Sequence, residues 1–588
     1  MSRIRDGIRG DILGAGVSWT SEGTTVMLGP GVEPQGDNAL SARALGKVSR
    51  RTVLRLTAMA AAAAPTLSQL VSAPPAHAQA DTSSDDGGAA IGDVVDVSIA
   101  QLRAAMAARR TTAREITSDY IDRIQRLDPR LHSVIEINPD AVAIAEALDD
   151  ERQAGKVRGP LHGIPILLKD NIDTADKTHT GAGSLALVGT QPVQDATVAR
   201  LLREAGAILL GKANLSEWAN FRSTNSSSGW SARGGQCGNP YILDRNPCGS
   251  SSGSGAATSA SFTAAALATE TDGSIVCPAS HCAVVGIKPT VGLTSRGGVV
   301  PISHTQDTIG SHGRTVADAA AVLTAIAGVE DTRDSATAIN RNRPRLDYTK
   351  FLDKNALKGA RIGVARDQGF GINPKTDAIM TTAIAALVDA GAVIIDNLNI
   401  GALENPTTGN SETTVLLFDF KQDVAAYMAS RPGGPKTLQD LINFNTAHAA
   451  QELKFFGQEL FLQAEATTNF NDPVYTAALA DSQGASRHAL NTIFATNNLA
   501  AIVAPTNSPA WTTDLVNGDH FQLASTGPAA RAGFPLVTVP AGFTFDLPVG
   551  ITFMGLSLSE PLLISLAFAF EQATKIRRPP KFLPTLPT

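Results

Sequence analysis

Two short polar segments hold most of the side chains that could do chemistry in this sequence. Residues 246–255 read Asn-Pro-Cys-Gly-Ser-Ser-Ser-Gly-Ser-Gly, and residues 269–278 read Thr-Glu-Thr-Asp-Gly-Ser-Ile-Val-Cys-Pro. A loop of Ser and Gly that leads into a helix presents hydroxyls and unpaired N–H groups at one place. Such a loop fits three kinds of site: a phosphate cradle, a dinucleotide-binding loop, or the nucleophile of a serine hydrolase.

The surrounding residues argue against the first two kinds of site. A phosphate cradle needs a lysine that the loop lacks, and a dinucleotide loop needs an apolar strand directly before it, whereas residues 234–248 are polar. Residues 249–253 match Gly-x-Ser-x-Gly, the nucleophile turn of α/β-hydrolases, with Ser251 at its centre. That turn also needs a preceding strand, an acid and a histidine, and the downstream histidines occur singly without a motif. An esterase with Ser251 as its nucleophile is therefore an alternative with little support.

A candidate base lies upstream of both segments. Lys169 follows the apolar run Ile164–Leu168, whose end is a plausible buried site. A lysine amine can accept a proton from a serine only when it is neutral, and burial promotes the neutral form by lowering the pKa. The distance along the chain is too long for spacing alone to place Lys169 beside the serines.

The combination of these motifs resembles the amidase signature family. Lys169 in Leu-Leu-Lys-Asp-Asn, the serine-rich loop and Ser274 in Thr-Asp-Gly-Ser-Ile occur in the family's order, and the likeness spans most of residues 95–575. It looks closest to the bacterial peptide amidase branch. The resemblance implies a Ser–cis-Ser–Lys triad, with Ser274 as nucleophile, Ser250 as the bridging serine and Lys169 as base. It also implies a cis peptide bond between Ser250 and Ser251.

The resemblance further implies roles for the residues around the triad. The family builds its oxyanion hole from backbone amides on the turn before the nucleophile, which here are those of Thr271, Asp272, Gly273 and Ser274. The positions that correspond to substrate contacts are Ser251, Asn214 and Trp218. Asp272 and Ser252 stand where many relatives have glycine. The resemblance implies no cofactor, and the sequence has neither a His-Glu-x-x-His nor a Cys-x-x-Cys motif that could hold a catalytic zinc.

The function that this resemblance implies is hydrolysis of a carboxamide C–N bond to an acid and ammonia or an amine, through an acyl-enzyme on Ser274. The expected substrate is a peptide or small-molecule amide, with C-terminal amides of peptides favoured over other aliphatic or aryl amides. A rival within the family is a transamidation protein that works on tRNA with partner subunits in the cytoplasm. A non-enzyme rival is a binding protein on an amidase scaffold.

Short apolar runs that alternate with helical stretches predict the fold around these residues. Continuous apolar strands separated by helices are typical of a sheet covered on both faces. We therefore expect an α/β fold, a single large domain with a central mixed, mostly parallel sheet and helices on both faces. The predicted strands are Ile164–Leu168, Ala207–Leu210, Arg361–Ala365, Val393–Ile395, Ala501–Ala504, Val537–Val539 and Val549–Phe553. The predicted helices include Asn138–Ala154, Ala196–Glu204, Lys375–Asp389 and an Ala-rich helix from the serine loop to about Ala268.

The first eighty residues have the pattern of an export signal. Arg50-Arg51 precede a short apolar stretch and Ala-x-Ala cleavage sites, as in a twin-arginine signal peptide. We expect residues 1–80 to be an N-terminal extension and signal, with Met27 a possible true start, and residues 81–588 to be the amidase domain of an exported protein. The expected destination is the periplasm or the medium.

Composition limits the partners of the protein. The chain has 588 residues, 49 Lys+Arg and 55 Asp+Glu, and this mild acidity gives no electrostatic footprint for nucleic acid. No later segment has eighteen consecutive apolar residues, so stable membrane insertion is not expected. The four cysteines are expected to be buried thiols, with disulfides formed after export as the alternative. The oligomeric state is not encoded in any pattern that we find.

Overall fold

An eleven-stranded sheet is the centre of the computed structural model, which describes residues 94–404 and 410–587. The signal sequence predicted in residues 1–80 lies outside these residues. The described residues belong to one compact unit. The strands, in chain order, are β1 Val134–Ile137, β2 Pro165–Lys169, β3 Ile208–Ala213, β4 Trp230–Ser231, β5 Gly235–Gln236, β6 Ala265–Glu270, β7 Val285–Lys288, β8 Thr308–Gly313, β9 Arg361–Ala365, β10 Val393–Leu398, β11 Ala501–Pro505, β12 Leu536–Thr544 and β13 Leu547–Met554.

The sheet is mixed, and its parallel pairs fall into two groups. The strand order is β1-β3-β2-β6-β8-β7-β12-β13-β11-β9-β10, and β4 and β5 form a separate small ribbon. Strands β3, β2 and β6 are parallel, as are β11, β9 and β10. All pairs from β6 across to β11 are antiparallel, and so is the pair of β1 with β3. The predicted mixed sheet is confirmed, with a larger antiparallel share than the continuous apolar strands indicate.

Helices pack against this sheet. Every residue of β2, β3 and β6 is buried, which requires cover on both faces of that part of the sheet. The α-helices, in chain order, are α1 Ile99–Ala107, α2 Ala113–Leu127, α3 Ala141–Gln153, α4 Thr197–Glu204, α5 Ser252–Ser259, α6 Val276–His281, α7 Val316–Ile326, α8 Pro374–Asp389, α9 Gly401–Glu404, α10 Ser411–Ala429, α11 Leu438–Ala447, α12 Ala449–Glu452, α13 Glu459–Glu465, α14 Pro473–Leu479, α15 Ala485–Asn497, α16 Gly527–Ala532 and α17 Glu560–Thr574.

One predicted helix is partly a strand. The Ala-rich stretch that is expected to stay helical to about Ala268 ends its helix, α5, at Ser259 and enters the sheet as β6. Alanine favours helix, but this preference is weak beside the burial that β6 gains between β2 and β8. The small side chains of β6 and the glycines of β8 suit a crowded sheet centre, and they carry little of the β-branched signal that marks a strand in sequence.

Among the described residues, no helix combines the length and the apolar character that a membrane crossing requires.

Candidate active site

Lys169 is the last residue of β2, and its side chain is fully buried. Its Nζ lies 2.8 Å from Ser250 Oγ, 2.8 Å from Thr269 Oγ1 and 3.3 Å from the Thr269 carbonyl oxygen. Burial lowers the pKa of the amine to about 7, and the carboxylates of Asp307 and Glu270 oppose this by raising it. A large fraction of the amine is therefore neutral near neutral pH.

The three acceptors around Nζ match the two protonation states of the amine. The ammonium form has three hydrogens, one for each acceptor. The neutral amine has two hydrogens, which the two oxygens of Thr269 can accept, and its lone pair then faces Ser250 Oγ. In that state the hydroxyl of Ser250 can donate its proton to Lys169.

Thr269 is itself held in place by Asn171. Asn171 Nδ2 donates to Thr269 Oγ1 at 3.0 Å. Sequence reasoning missed both residues, although Asn171 is in the same Lys-Asp-Asn motif as Lys169 and Thr269 opens the second polar segment. Thr269 is 100 residues from Lys169 in the chain, and only the parallel pairing of β2 with β6 brings them together.

The two serine segments lie side by side. Ser251 N donates to the carbonyl oxygen of Ser274 at 3.2 Å, and a disulfide joins Cys248 to Cys277. The cis peptide bond is between Gly249 and Ser250. The expectation of a cis bond between Ser250 and Ser251 is therefore wrong by one residue, since the cis bond is the one on the N-terminal side of Ser250.

Ser274 occupies a tight turn between β6 and α6. Gly273 has φ +78°, a left-handed conformation that glycine adopts without strain. Glu270 Oε2 accepts hydrogen bonds from the N–H groups of Ile275 and Val276, at 2.7 and 3.0 Å, which fixes the start of the helix. Within the described chain, the N–H groups of residues 271–274 donate to no protein acceptor. These are the four backbone donors that the sequence predicts for the oxyanion hole.

A cavity of about 620 Å³ opens beside Ser274. Its wall includes residues of both serine segments, among them the two cysteines of the disulfide. The wall also has an apolar part, formed by Phe221, Ile302, Leu416, Leu460 and Phe521. Among the described residues that line it, Asp272 and Asp519 have charged side chains, and none is Lys, Arg or His. The cavity can therefore hold an apolar group beside Ser274, in a field that disfavours anions.

Ser251 does not face this cavity. Its hydroxyl donates to the Thr269 carbonyl oxygen at 3.0 Å and accepts from Thr269 N at 3.2 Å, and its side chain is fully buried. These bonds tie the serine loop to β6. They give Ser251 neither the histidine nor the access that an esterase nucleophile needs.

Asn214 and Trp218 are also interior residues. Asn214 Nδ2 donates to the His132 carbonyl oxygen at 2.8 Å, and its Oδ1 accepts from Ser231 Oγ at 2.8 Å. Trp218 is 2% exposed and packs edge-on against Phe461. Neither lines the cavity beside Ser274, whereas Ala219 and Asn220, which follow Trp218, do. The structure does not support the predicted substrate contacts of Asn214, Trp218 and Ser251, because all three side chains are used in internal packing and hydrogen bonds.

The four cysteines divide into two pairs. Cys248 and Cys277 form a disulfide, so the expectation of buried thiols is wrong for them. Cys237 and Cys282 are buried free thiols, as expected. Sequence cannot choose between these states, because it does not show that the two serine segments approach each other.

Comparison with known proteins shows to which family the chain belongs. A family model described as Amidase matches residues 115–564, a range that contains Lys169, Ser250 and Ser274. The chain belongs to the amidase family. The resemblance found from the motifs is confirmed, and this amidase hydrolyses amide C–N bonds.

Three relatives show how far the likeness extends. The crystal structure of the native peptide amidase from Stenotrophomonas maltophilia is 48% identical, with a TM-score of 0.79, and the match covers 83% of this amidase and 99% of that chain. A probable amidase of Arabidopsis thaliana is 43% identical over 83% of this chain and 92% of its own. One subunit of the glutamyl-tRNA(Gln) amidotransferase of Moorella thermoacetica is 35% identical over 80% of this chain and 95% of its own.

Proposed function

We propose that this amidase hydrolyses the C-terminal amides of peptides through an acyl-enzyme on Ser274, with Ser250 as proton relay and Lys169 as base. The observation that carries the proposal is the desolvated amine of Lys169, which lies 2.8 Å from Ser250 Oγ while Thr269 offers acceptors for its remaining hydrogens. A neutral amine in this position is the base that a serine nucleophile needs.

The proton moves along this chain of groups in both directions. Neutral Lys169 accepts the proton of Ser250, which accepts that of Ser274 as Ser274 Oγ attacks the amide carbon. The C–N bond then breaks, and Ser250 returns a proton to the leaving nitrogen, so that ammonia departs and an ester to Ser274 remains. Water attacks this ester along the same route and releases the acid.

The four unpaired N–H groups of residues 271–274 are proposed to stabilise the oxyanion of each tetrahedral intermediate. Backbone donors of this kind are fixed before the reaction, and removing one donor from such a hole typically lowers kcat about 10²- to 10³-fold. Asp272 leaves the backbone donors intact although it replaces a glycine that is common in the family.

The cavity and the relatives support peptide amides as substrates. The apolar part of the cavity of about 620 Å³ can receive the side chains of a peptide, and Asp272 and Asp519 disfavour a terminal carboxylate relative to a neutral carboxamide. The identity with the Stenotrophomonas peptide amidase, 48%, exceeds the 35% identity with the Moorella amidotransferase protein.

We also propose that the protein is exported by its twin-arginine signal, with residues 1–80 as extension and signal. Arg50-Arg51 and the apolar stretch that follows support this, and a disulfide between Cys248 and Cys277 suits an oxidising compartment. Replacement of both arginines by lysine should retain the precursor in the cytoplasm. Export of that variant in the same proportion as the unaltered protein would contradict the proposal.

The test of the activity is ammonia release from matched substrates: peptide amides, the corresponding free peptides, simple aliphatic amides and anilides. Ser274→Ala and Lys169→Met should each lower kcat by at least about 10³-fold. Ser254→Ala is the matched control, because its hydroxyl only donates to the Leu267 carbonyl oxygen. Full activity of Ser274→Ala would disprove the triad, and turnover of anilides but not of peptide amides would replace the proposed substrate.

A further inference from the structure

The Cys248–Cys277 disulfide joins the two serine segments. Cys248 is two residues before Ser250, and Cys277 is three residues after Ser274. The two Cα atoms are 5.9 Å apart, although the cysteines are separated by 29 positions in the chain. Both residues line the cavity beside Ser274.

We infer that this disulfide is a positioning element that holds the hydroxyl of Ser250 in register with that of Ser274. The inference rests on the proposed roles of these two serines. Each half of the disulfide is attached to one of them by a short piece of backbone, so a shift of one cysteine relative to the other is passed to the serines. The disulfide therefore fixes the two hydroxyls between which the proton moves.

The surroundings of the two sulfur atoms support this role. Cys248 N donates to Asn246 Oδ1 at 2.8 Å, and the Asn507 side-chain amide contacts Cys277 Sγ, so each cysteine has a polar contact with a neighbour of its own. Trp511 packs with both cysteines in one buried cluster. Besides the disulfide, the serine segments are joined by the hydrogen bond from Ser251 N to Ser274 O and by the two bonds between Ser251 Oγ and the backbone of Thr269. Of these links, the disulfide is the covalent one.

Proton transfer between two hydroxyls depends steeply on their separation. A misplacement of about 1 Å can cost about 10²-fold in rate. Loss of the disulfide leaves the base, the nucleophile and the oxyanion donors in the chain, so activity should fall without disappearing. Binding of the substrate depends on the whole cavity wall and should change less than the chemical step.

The chain offers a matched control in its second pair of cysteines. Cys237 and Cys282 are buried, free and packed together with Ala256, away from the residues that line the cavity beside Ser274. A double substitution there also removes two sulfur atoms. The polar contact of this pair with a serine segment is a weak one, from Cys282 Sγ to the Pro247 carbonyl oxygen at 4.0 Å.

The experiment compares Cys248→Ala/Cys277→Ala with Cys237→Ala/Cys282→Ala on a peptide amide. Active sites are titrated with a serine-reactive fluorophosphonate, so that kcat refers to folded, reactive enzyme, and thermal unfolding is measured in parallel. For the first variant we expect kcat per titrated site to fall about 10- to 100-fold while KM changes less than about threefold. The control should keep kcat per titrated site.

Three results would overturn the inference: an unchanged kcat per titrated site in the first variant, an effect confined to KM, or an equal loss in the control. An unchanged kcat would show that the disulfide only stabilises the fold. An effect confined to KM would show that it acts only as part of the cavity wall that contacts the substrate. Failure of the proposed function is distinguishable, because it would appear in the unaltered protein as turnover that survives Ser274→Ala or as absence of labelling at Ser274.

Discussion

At the scale of single residues, the catalytic proposal depends on the protonation state of Lys169. Its pKa is about 7 because burial removes the amine from water. The active form is neutral, so its fraction rises as pH rises through this value. We expect kcat/KM for a peptide amide to have a rising limb with a midpoint near pH 7. A profile that is flat between about pH 5 and 9 would contradict the role of base.

Asp307 tunes that midpoint. Its carboxylate raises the pKa of Lys169 by favouring the ammonium form, while its own contacts are Thr271 Oγ1 and the N–H groups of Ile302 and Ser303. Asp307→Asn can keep these contacts, with the amide oxygen facing the N–H groups and the NH₂ donating to the Thr271 hydroxyl. The midpoint of the kcat/KM profile should move to lower pH. A shift upward would show that the coupling has the opposite sign.

Thr269 aims the amine at Ser250. Thr269→Val removes one of its two acceptors, and the lone pair of Lys169 is then less firmly directed, so kcat should fall about 10- to 100-fold. Thr258→Val is the matched control, because the buried Thr258 hydroxyl has no hydrogen-bond partner among the described residues. The measurement is kcat of both variants under steady-state conditions. An equal fall of kcat in the two would show that Thr269 has no role of its own in orienting the amine.

The motifs identify these residues unequally. Lys169, Ser250 and Ser274 belong to motifs whose combination resembles a known family, and that resemblance, rather than their spacing along the chain, predicts their grouping. Thr269 and Asp307 contribute through contacts between distant strands and loops, which a local pattern does not contain. Asn214 and Trp218 show the reverse case, because position in a motif does not reveal that their side chains are used inside the protein.

At the scale of elements, the strands around the site differ in how well sequence predicts them. Strands β2 and β3 are continuous apolar runs that the sequence predicts. Strands β6 and β8 contain Ala, Gly, Thr and Ser, and they form the sheet centre through close approach rather than through large side chains. The backbone of the neighbouring strands leaves room only for small residues at these positions. This requirement arises from tertiary packing, so a local sequence pattern does not show it.

Gly310 in β8 tests this close approach. A Cβ at this position would be 1.9 Å from the Ile287 carbonyl oxygen of the neighbouring strand β7. The clash could be relieved only by a shift of the backbone of one of the two strands. Gly310→Ala should destabilise the protein by several kcal/mol, at about the upper end of single substitutions. Gly484→Ala is the control, because a Cβ there meets nothing within 4 Å. Thermal unfolding of both variants is the measurement, and equal melting temperatures would contradict the packing.

At the scale of the whole molecule, the cavity beside Ser274 is assembled from distant parts of the chain. Its lining residues lie in residues 219–228, 248–249, 271–277 and 506–526, together with Ile302, Leu416 and Leu460. The fold class could be predicted because alternation of apolar runs and helices is a global pattern. The cavity could not be predicted, because its walls come from loops and helices, and the sequences of these segments do not show against which other segments of the chain they pack.

The charge of this cavity sets a substrate preference. Because Asp272 and Asp519 are its charged lining residues, peptide amides with a lysine next to the terminal amide should have a kcat/KM about tenfold higher than those with a glutamate. Added salt should narrow the ratio. Asp272→Asn should also bring the lysine-to-glutamate ratio of kcat/KM closer to one. A higher kcat/KM for the glutamate amides, both with and without added salt, would contradict the predicted effect of these carboxylates.

The sulfur bridge beside the nucleophile also bears on where this enzyme can work. Such bridges persist in oxidising surroundings and are rare where glutathione and thioredoxin keep thiols reduced. Newly made protein in contact with those reductants would have two free thiols at positions 248 and 277. By the inference above, it would hydrolyse its substrate slowly. Under the export proposed above, full activity would arise only outside the cytoplasm, and the producing cell would be spared an amide-cleaving activity among its own metabolites.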